Sequence, residues 1–529
     1  MSKLVPIGMP LRGLITIDPF VPFDSGYARE LTNNLIVDGR LTTRPAIKSY
    51  KYNASNNRLN WYDAVNNSGI EITTGDIITV SSSATTGTIG GASSFNATTC
   101  IHMGTEYVFG CREPRLAAAP FTAWTFTTIT ISAAVITCGV SHKGRFYVAQ
   151  SGELNYSGVA QTTGAMYAYL DYSQYLEGQA IFRMFSVSAQ PGNDTQNVLV
   201  LFGSGGKVLV FSGTYPDSDS WQLIGNYNMP SPVQSGFIEI DGDIWVTTQR
   251  YSYWFRDLFS GGAQTAYENS PSRPIENLWQ AQTWSTDSPS YVGNTSGLNT
   301  NAHCSHAFYL GVVGSTSVDA IICQAQTDTL SIASYQNVSI SFIYHRKYKA
   351  WSIWYSTPFF KPVRLQAGAY YALSNSGEIV TLDDDNFVDE YTGGGANTIE
   401  IETSWKTPYV SPFSGTNQKL EGVRPFWKNS VSGYFEKIRA IFDYSDYNAP
   451  YGFYTQSTVT QINPGKYNDG QFDLAANTWN HYNEFKTLGG LGAGFSLQFT
   501  MKRKAASAAA QSQQLYAASA LVNDGGAIF

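Results

Sequence analysis

The sequence predicts an all-β fold: a β-propeller built from antiparallel meanders, a second β-sandwich-like domain, and extended arms at both ends. Three observations point there. Apolar and polar residues alternate over many short segments, the period of a half-buried strand, while a sustained 3.6-residue period is hard to find. Gly, Asn, Asp and Ser turns punctuate those segments, drawing on 48 Gly in 529 residues. Aromatic residues make up 14% of the chain and charged residues also only 14%, which suits rings packed on pleated sheets and a surface of hydroxyls and amides.

Residues 1–55 carry Pro6, Pro10, Pro19, Pro22 and Pro45 among scattered apolar side chains. They suit an extended arm docked on another surface, with one short helix from Asp24 through Leu35. Residues 56–395 read as hairpin after hairpin. Val198–Phe202 and Val208–Phe211 flank Gly203-Ser-Gly-Gly206, and Gly236–Ile240 and Ile244–Thr248 flank Asp241-Gly242-Asp243. Glycine supplies the positive φ such turns need. Further pairs surround His345-Arg-Lys-Tyr-Lys349 and Asn375-Ser-Gly-Glu378. This length accommodates about six to eight blades of ~40–45 residues, and radial closure would bury the edges that so many hairpins expose. Alternation places Trp245, Trp351 and Trp354 in the core.

Residues 396–503 follow Gly393-Gly-Gly395 and end in the strictly alternating Phe495–Met501, the pattern of a second β domain. Residues 504–529 are rich in Ala, Ser and Gln. Alone they suit a weak helix or disorder, since they offer little apolar area against the entropy of ordering; docking on a neighbour would fix them.

The chemistry that the sequence excludes is as informative. Lys+Arg 33 against Asp+Glu 40 gives a net charge of -7, so the chain lacks the cationic surplus that grips duplex phosphates. Basic knots occur at His345–Lys349 and Lys502-Arg503-Lys504; the first expectation for both is solvated turn charge. Gly203-Ser-Gly-Gly-Lys207 resembles the end of a phosphate loop, but Leu201 stands at the first glycine position and Val208 at the magnesium-binding hydroxyl. His303-Cys304-Ser305-His306 would point only two ligands to any one face of a strand. Asp383-Asp-Asp-Asn386 with Asp389 lacks the glycine and distal glutamate of an EF-hand and reads as a solvated turn. Asp217-Ser-Asp219 before Trp221 reads as another turn. Cys100, Cys111, Cys138, Cys304 and Cys323 form no paired motif and are expected as buried thiols. A nucleophile elbow is missing, so no catalytic, cofactor or metal residue is assigned and the expectation is a non-enzyme. The start lacks the apolar run of a secretory signal, and no segment reaches the ~18 apolar residues of a membrane helix; the expectation is a soluble chain made in the cytoplasm.

One constellation goes further. Ala28-Arg29-Glu30 is followed by Asn34-Leu-Ile-Val-Asp-Gly39-Arg-Leu41-Thr-Thr-Arg44-Pro45. Then come His142-Lys-Gly-Arg145-Phe-Tyr with Leu154-Asn-Tyr-Ser157, Val198–Phe202 with Val208 to Gly213 and Trp221, and Tyr344 to Trp351. In this order they resemble the tail nozzle, also called tail hub or packaged-DNA stabilisation protein, of short-tailed bacteriophages. The Ala/Gln-rich C-terminal tail departs from that pattern. The resemblance implies a structural virion protein, made in the host cytoplasm and located in the tail. It implies a homohexameric ring below portal and adaptor, contacting tail fibres or spikes, that retains packaged double-stranded DNA and passes it without sequence preference during ejection. Phe20, Phe23 and Tyr27 are then the apolar anchors of the arm, with Arg44 and Phe529 as further candidate assembly contacts. The alternatives are a carbohydrate-binding or glycan-cleaving β-propeller, since paired carboxylates can come from any two strands, or a receptor-binding tail component.

Overall fold

A computed structural model describes residues 2–16, 25–51, short strands between 59 and 130, 136–189 apart from 151, 152, 160–163, 166 and 173, 196–284 except 283, 306–325 except 314 and 315, 330–356 except 333 and 334, strands between 359 and 400, 401–429 except 414, 435–442, 457–460, 480–482, 486–502 and 513–527. Strands dominate, as the sequence predicts. Three sheets are four-stranded and antiparallel. The first two are consecutive meanders, Ile136–His142 to Tyr167–Asp171 and Ile181–Ala189 to Gln196–Gly203 to Lys207–Ser212 to Gln222–Asn228.

The glycine turns do what their sequences require. Phe202 pairs with Val208 across Gly203-Ser-Gly-Gly206, and Gly206 sits at φ 102 with its Cα so close to the next strand that a Cβ would lie 1.9 Å from the Met229 carbonyl oxygen. The Lys207 ammonium is held by Glu177 at 2.6 Å. This turn closes a hairpin instead of cradling a phosphate. Ile240 pairs with Asp243 across the Asp241-Gly242 turn, and His345 with Ala350 across the basic one.

The largest sheet has fifteen strands. Its main path runs from Ser252–Trp254 through Pro232–Ile240, His306–Val313, Tyr335–His345 and Ala350–Ser356 into Glu402–Lys406, Phe495–Lys502 and Phe435–Phe442. Strands from both sides of the boundary expected at 395/396 thus share one sheet, while residues 392–396 lie outside the described residues. Trp245, Trp351 and Trp354 are 0–1% exposed, in the core as expected, although Trp351 and Trp354 face opposite sides of their strand and enter two different cores. Trp245 and Trp351 share a core with Trp279 and Phe342.

Residues 2–51 differ from the expected docked arm. They form β1 (Ser2–Ile7), β2 (Gly13–Leu14), β3 (Tyr27–Ala28), β4 (Glu30–Thr32), β5 (Asn34–Val37), β6 (Arg40–Thr43) and β7 (Ala46–Lys51), all paired within the chain. β4 fills the place between Ala350–Ser356 and Glu402–Lys406, and β7 completes the third four-stranded sheet beside Ile379–Asp383. The described part of the helix expected over Asp24–Leu35 is strand, because Asn33 takes φ 55 and the flanking residues each find a neighbouring ladder. The tail also differs. Gln513–Ala527 is a long strand between Thr416–Asn429 on one side and β1 and β6 on the other. Small side chains of modest β propensity suffice there because both ladders are already in place.

A helix that the periodicity did not reveal, α1 (Phe255–Glu268), follows the strand Ser252–Trp254 and buries Phe255, Leu258 and Ala266 against Tyr253 and Val246. Gly262 at φ 77 kinks it, and the Gly261-Gly262 pair hides the helical repeat in the sequence.

Candidate functional site

The residues that β4 to β7 bring together form a buried polar node. Arg44 and Asp389 are both 0% exposed. A guanidinium out of water is tolerated only when its donors are paired, and here they are. Nη1 donates to Asp389 Oδ1 at 2.9 Å and to the Pro45 carbonyl at 2.9 Å. Nη2 donates to Asp389 Oδ2 and to the Tyr355 carbonyl, and Nε donates to Asn33 Oδ1 at 3.1 Å. Asp389 Oδ1 also accepts the Ile47 amide at 2.8 Å.

Asn33 extends the node. Its positive φ turns the chain between β4 and β5, so that Oδ1 accepts the Tyr355 amide at 2.9 Å while Nδ2 donates to the Glu402 carbonyl at 2.8 Å. Asn34 Nδ2 donates to Ser404, and the Asn34 carbonyl accepts Trp354 Nε1 at 3.1 Å and the Ser352 hydroxyl at 3.0 Å. One short stretch thus ties together segments near 352–355, 389 and 402–404.

A second cluster lies where turns meet. The Arg346 guanidinium pairs with Asp241 and, at 3.1 Å, with Asp319. Lys347 lies 3.6 Å from Asp38, and Tyr348 Oη accepts the Gly39 amide at 2.8 Å. Burial alone would lower the Arg346 pKa, but the two aspartates more than offset it and raise it. Tyr309 donates to Asp319 at 3.0 Å, and its pKa rises through burial and then that bond. Arg346 and Lys347 of the basic knot are therefore charge-matched by Asp241 and Asp38 from two other turns and by Asp319 from the strand Thr316–Gln324.

A third cluster reaches the surface. Arg145 lies 4.2 Å from the Tyr215 ring centroid and 5.7 Å from that of Tyr156, and Tyr156 donates to Asp217. Tyr167, 57% exposed, packs on Tyr156 at 5.6 Å. Behind them Tyr147 is stacked between Tyr156 and Trp221. Burial first, and the Asp217 carboxylate second, raise the Tyr156 pKa, so this hydroxyl stays a donor at neutral pH.

Of the residues named from the sequence, Phe20, Phe23 and Phe529 lie outside the described residues. Tyr27 is half-buried under the Arg12 guanidinium, 5.7 Å from its ring centroid, and Arg44 spends its donors within its own chain. Asp389, read as part of a solvated turn, is instead the buried partner of Arg44. Residues 303–305 and 384–387 lie outside the described residues. Cys323 is fully buried and its thiol is pushed up to about 12 by that burial, which keeps it protonated at neutral pH; Cys138 is buried as well. Among the described residues no cluster of three potential metal ligands occurs, and no helix is long and apolar enough to cross a membrane. Asn33, Asp389 and the Arg145 cluster were missed because their partners are far apart in sequence; the Asn-Asn pair before a strand was the available signal for the first.

No family model and no curated protein matches this chain. Solved structures resemble it only weakly. BBS1N in complex with ARL6DN, soaked with lead, is 14% identical over 48% of this chain and 67% of that one, with a TM-score of 0.24. Sucrose-6-phosphate hydrolase from Lactobacillus gasseri is 7% identical over 74% and 78%, with a TM-score of 0.16. The insecticidal delta-endotoxin Cry8Ea1 from Bacillus thuringiensis is 9% identical over 73% and 61%, with a TM-score of 0.15. Likenesses of this size carry no argument about function.

Proposed function

We propose that this chain is a structural subunit of the tail nozzle of a short-tailed bacteriophage, assembling as a ring that continues the DNA channel. The observation that carries this reading is convergence. Asn34, Gly39 and Arg44 from one motif of the sequence resemblance and Tyr348 from another belong to one neighbourhood, in which Asn34 binds Ser352 and Trp354, Gly39 binds Tyr348, and Arg44 binds Tyr355. The motif residues act as the joint between sheets, a role for a scaffold and not for a reacting centre. The blade-sized sheets close radially in this reading, with β7 supplying the last strand of the sheet Phe359–Asp383.

Charge supports a conduit. With a net charge of -7 and the Arg346–Lys347 turn neutralised by Asp241, Asp319 and Asp38, that turn presents no unmatched cationic strip to phosphates. Gold-labelled antibody on phage particles from the source lysate tests the reading: label on the axis of the tail supports it, and label absent from particles overturns it. The purified protein is expected not to retain duplex DNA at about physiological salt; strong retention counts against a passive channel.

A glycan-binding module is the second reading. It is favoured by exposed Tyr167 packed on Tyr156, whose own neighbours are Arg145, Tyr215 and Asp217, since a ring at the edge of a polar cluster is a surface on which a sugar stacks. A glycan array separates the two: binding that is lost in Tyr167→Ala moves the assignment to this reading.

A further inference from the structure

Gln513–Ala527 occupies a slot one strand wide. On one side its partners run from Thr416↔Ala527 to Asn429↔Gln513; on the other they are Ser2↔Asn523 to Ile7↔Ala518 in β1 and Thr42↔Gln514 in β6. Leu515, Ala518, Ala520 and Val522 are 0–3% exposed and pack into the core that contains Val5, Ile7, Leu420 and Val423. The spacing from Leu515 to Ala518 breaks strict alternation, and the ladder explains it. The register shifts between Phe426 and Trp427, which leaves Tyr516 as an extra residue and turns both side chains inward. Without this strand, the slot would present open ladders on both sides and an uncovered apolar floor.

Among the described residues the strand pairs only with segments distant in sequence. The preceding strand, Phe495–Lys502, belongs to the other sheet, where it pairs with Glu402–Lys406 and Phe435–Phe442. Between the two runs Arg503-Lys-Ala-Ala-Ser-Ala-Ala-Ala-Gln-Ser512, a sequence without proline, glycine or a large apolar side chain, able to reach at most about 35 Å when extended. The identity of the slot's occupant is set by the ladders and the floor, and an identical strand from a second copy satisfies both equally. Exchange between copies would conserve every pair and alter only the path of the connecting segment.

We infer that in the assembled protein the slot of each copy receives Gln513–Ala527 of its neighbour, so that strand addition, and not an adhesive surface, joins adjacent subunits. This rests on the ring reading for the neighbour's proximity, though the exchange itself requires only a second copy of this chain. Each subunit then donates one strand and accepts one, a heterologous contact of the kind that closes into a ring.

Paired cysteines read the exchange directly. Lys419 and Asn523 are Cα partners across the slot, within the span of a disulfide. Full-length chains carrying Lys419→Cys are mixed with full-length chains carrying Asn523→Cys, concentrated, and oxidised. The expected product is a disulfide-linked dimer in the assembled fraction, absent when either variant is oxidised alone. The double variant is the control for geometry: its cysteines close within one chain in dilute solution and between chains after assembly. Closure only within single chains at every concentration, with no linkage between the two single variants, overturns the inference. Failure of the double variant to close in either way also overturns it, since the register itself would then be wrong. Linked oligomers from a protein that antibody labelling does not find on tails would keep the exchange and remove the nozzle reading.

Discussion

Residues 44 and 346 are both arginines held by aspartate, and the protein treats them in opposite ways. Arg44 and Asp389 are 0% exposed, at the junction of the N-terminal strands with segments 352–355, 389 and 402–404. Arg346 joins the tips of turns, its partner Asp241 74% exposed. Water decides the difference. Outside, solvent competes for each charge and salt screens it; inside, each group is committed to its partner, and removing one strands the other. The buried pair specifies which strands meet, whereas the exposed pairs trim the charge of a rim.

The largest expected effect follows from breaking the inner pair. Arg44→Met leaves the Asp389 carboxylate buried without its cation and is expected to cost about 3–5 kcal/mol, read as a lowered midpoint in denaturant. Arg44→Met with Asp389→Leu is expected to recover part of that loss, since no charge is then stranded. A double variant as unstable as the single one would show that the geometry of Arg44 toward the Tyr355 and Pro45 carbonyls, not charge, holds the joint.

The comparison sharpens at the next residue along the chain. His345 adjoins Arg346 yet is 1% exposed, with Nε2 3.0 Å from the Ser352 hydroxyl, and burial lowers its pKa from 6.5 to about 3. The folded state therefore favours the neutral ring. This contribution is complete above pH 6.5 and is lost as pH falls toward 3, on the order of 4 kcal/mol at the lower end. His345→Gln is expected to flatten the fall in stability between those limits relative to the parent. An unchanged slope would mean that the ring meets water in the folded state.

The smallest effect belongs to the rim. Arg346→Ala is expected to cost less than about 1 kcal/mol, and that cost shrinks as salt is added. A loss as large as that of Arg44→Met would mean that the turns, too, are buried in an assembly.

Local chemistry was legible in the sequence, and distant pairing was not. The turns at Gly203–Gly206, Asp241-Gly242 and Arg346–Lys349 each have a mechanism carried by a few adjacent residues, and the burial of Trp245, Trp351 and Trp354 was expected, though not that Trp351 and Trp354 would enter different cores on the two faces of one strand. Arg44 finds Asp389 across 345 positions, a distance over which no periodicity speaks. The tail strand was hidden for a related reason: its Ala and Ser residues have no strong preference of their own and take the conformation of the slot that receives them. Helix α1 was hidden by its own glycines.

The fifteen-stranded sheet also has a mechanical character. Most neighbours in it share long ladders, but Pro232–Ile240 meets His306–Val313 through the single pair Ser235↔His306, and Ala350–Ser356 meets β4 through Ile353↔Thr32 alone. Tension applied across such a sheet concentrates where one rung carries what elsewhere is shared among many, so these two seams are where it would part into three plates. The second seam is riveted by side chains, since Asn33 bonds Ile353, Tyr355 and Glu402 around it. The first is held in the same way, since Trp245 packs on Tyr344 and Trp351, Arg346 pairs with Asp241 and Thr247 lies 3.7 Å from Cys323 across it, so at both seams side chains carry load that backbone rungs do not.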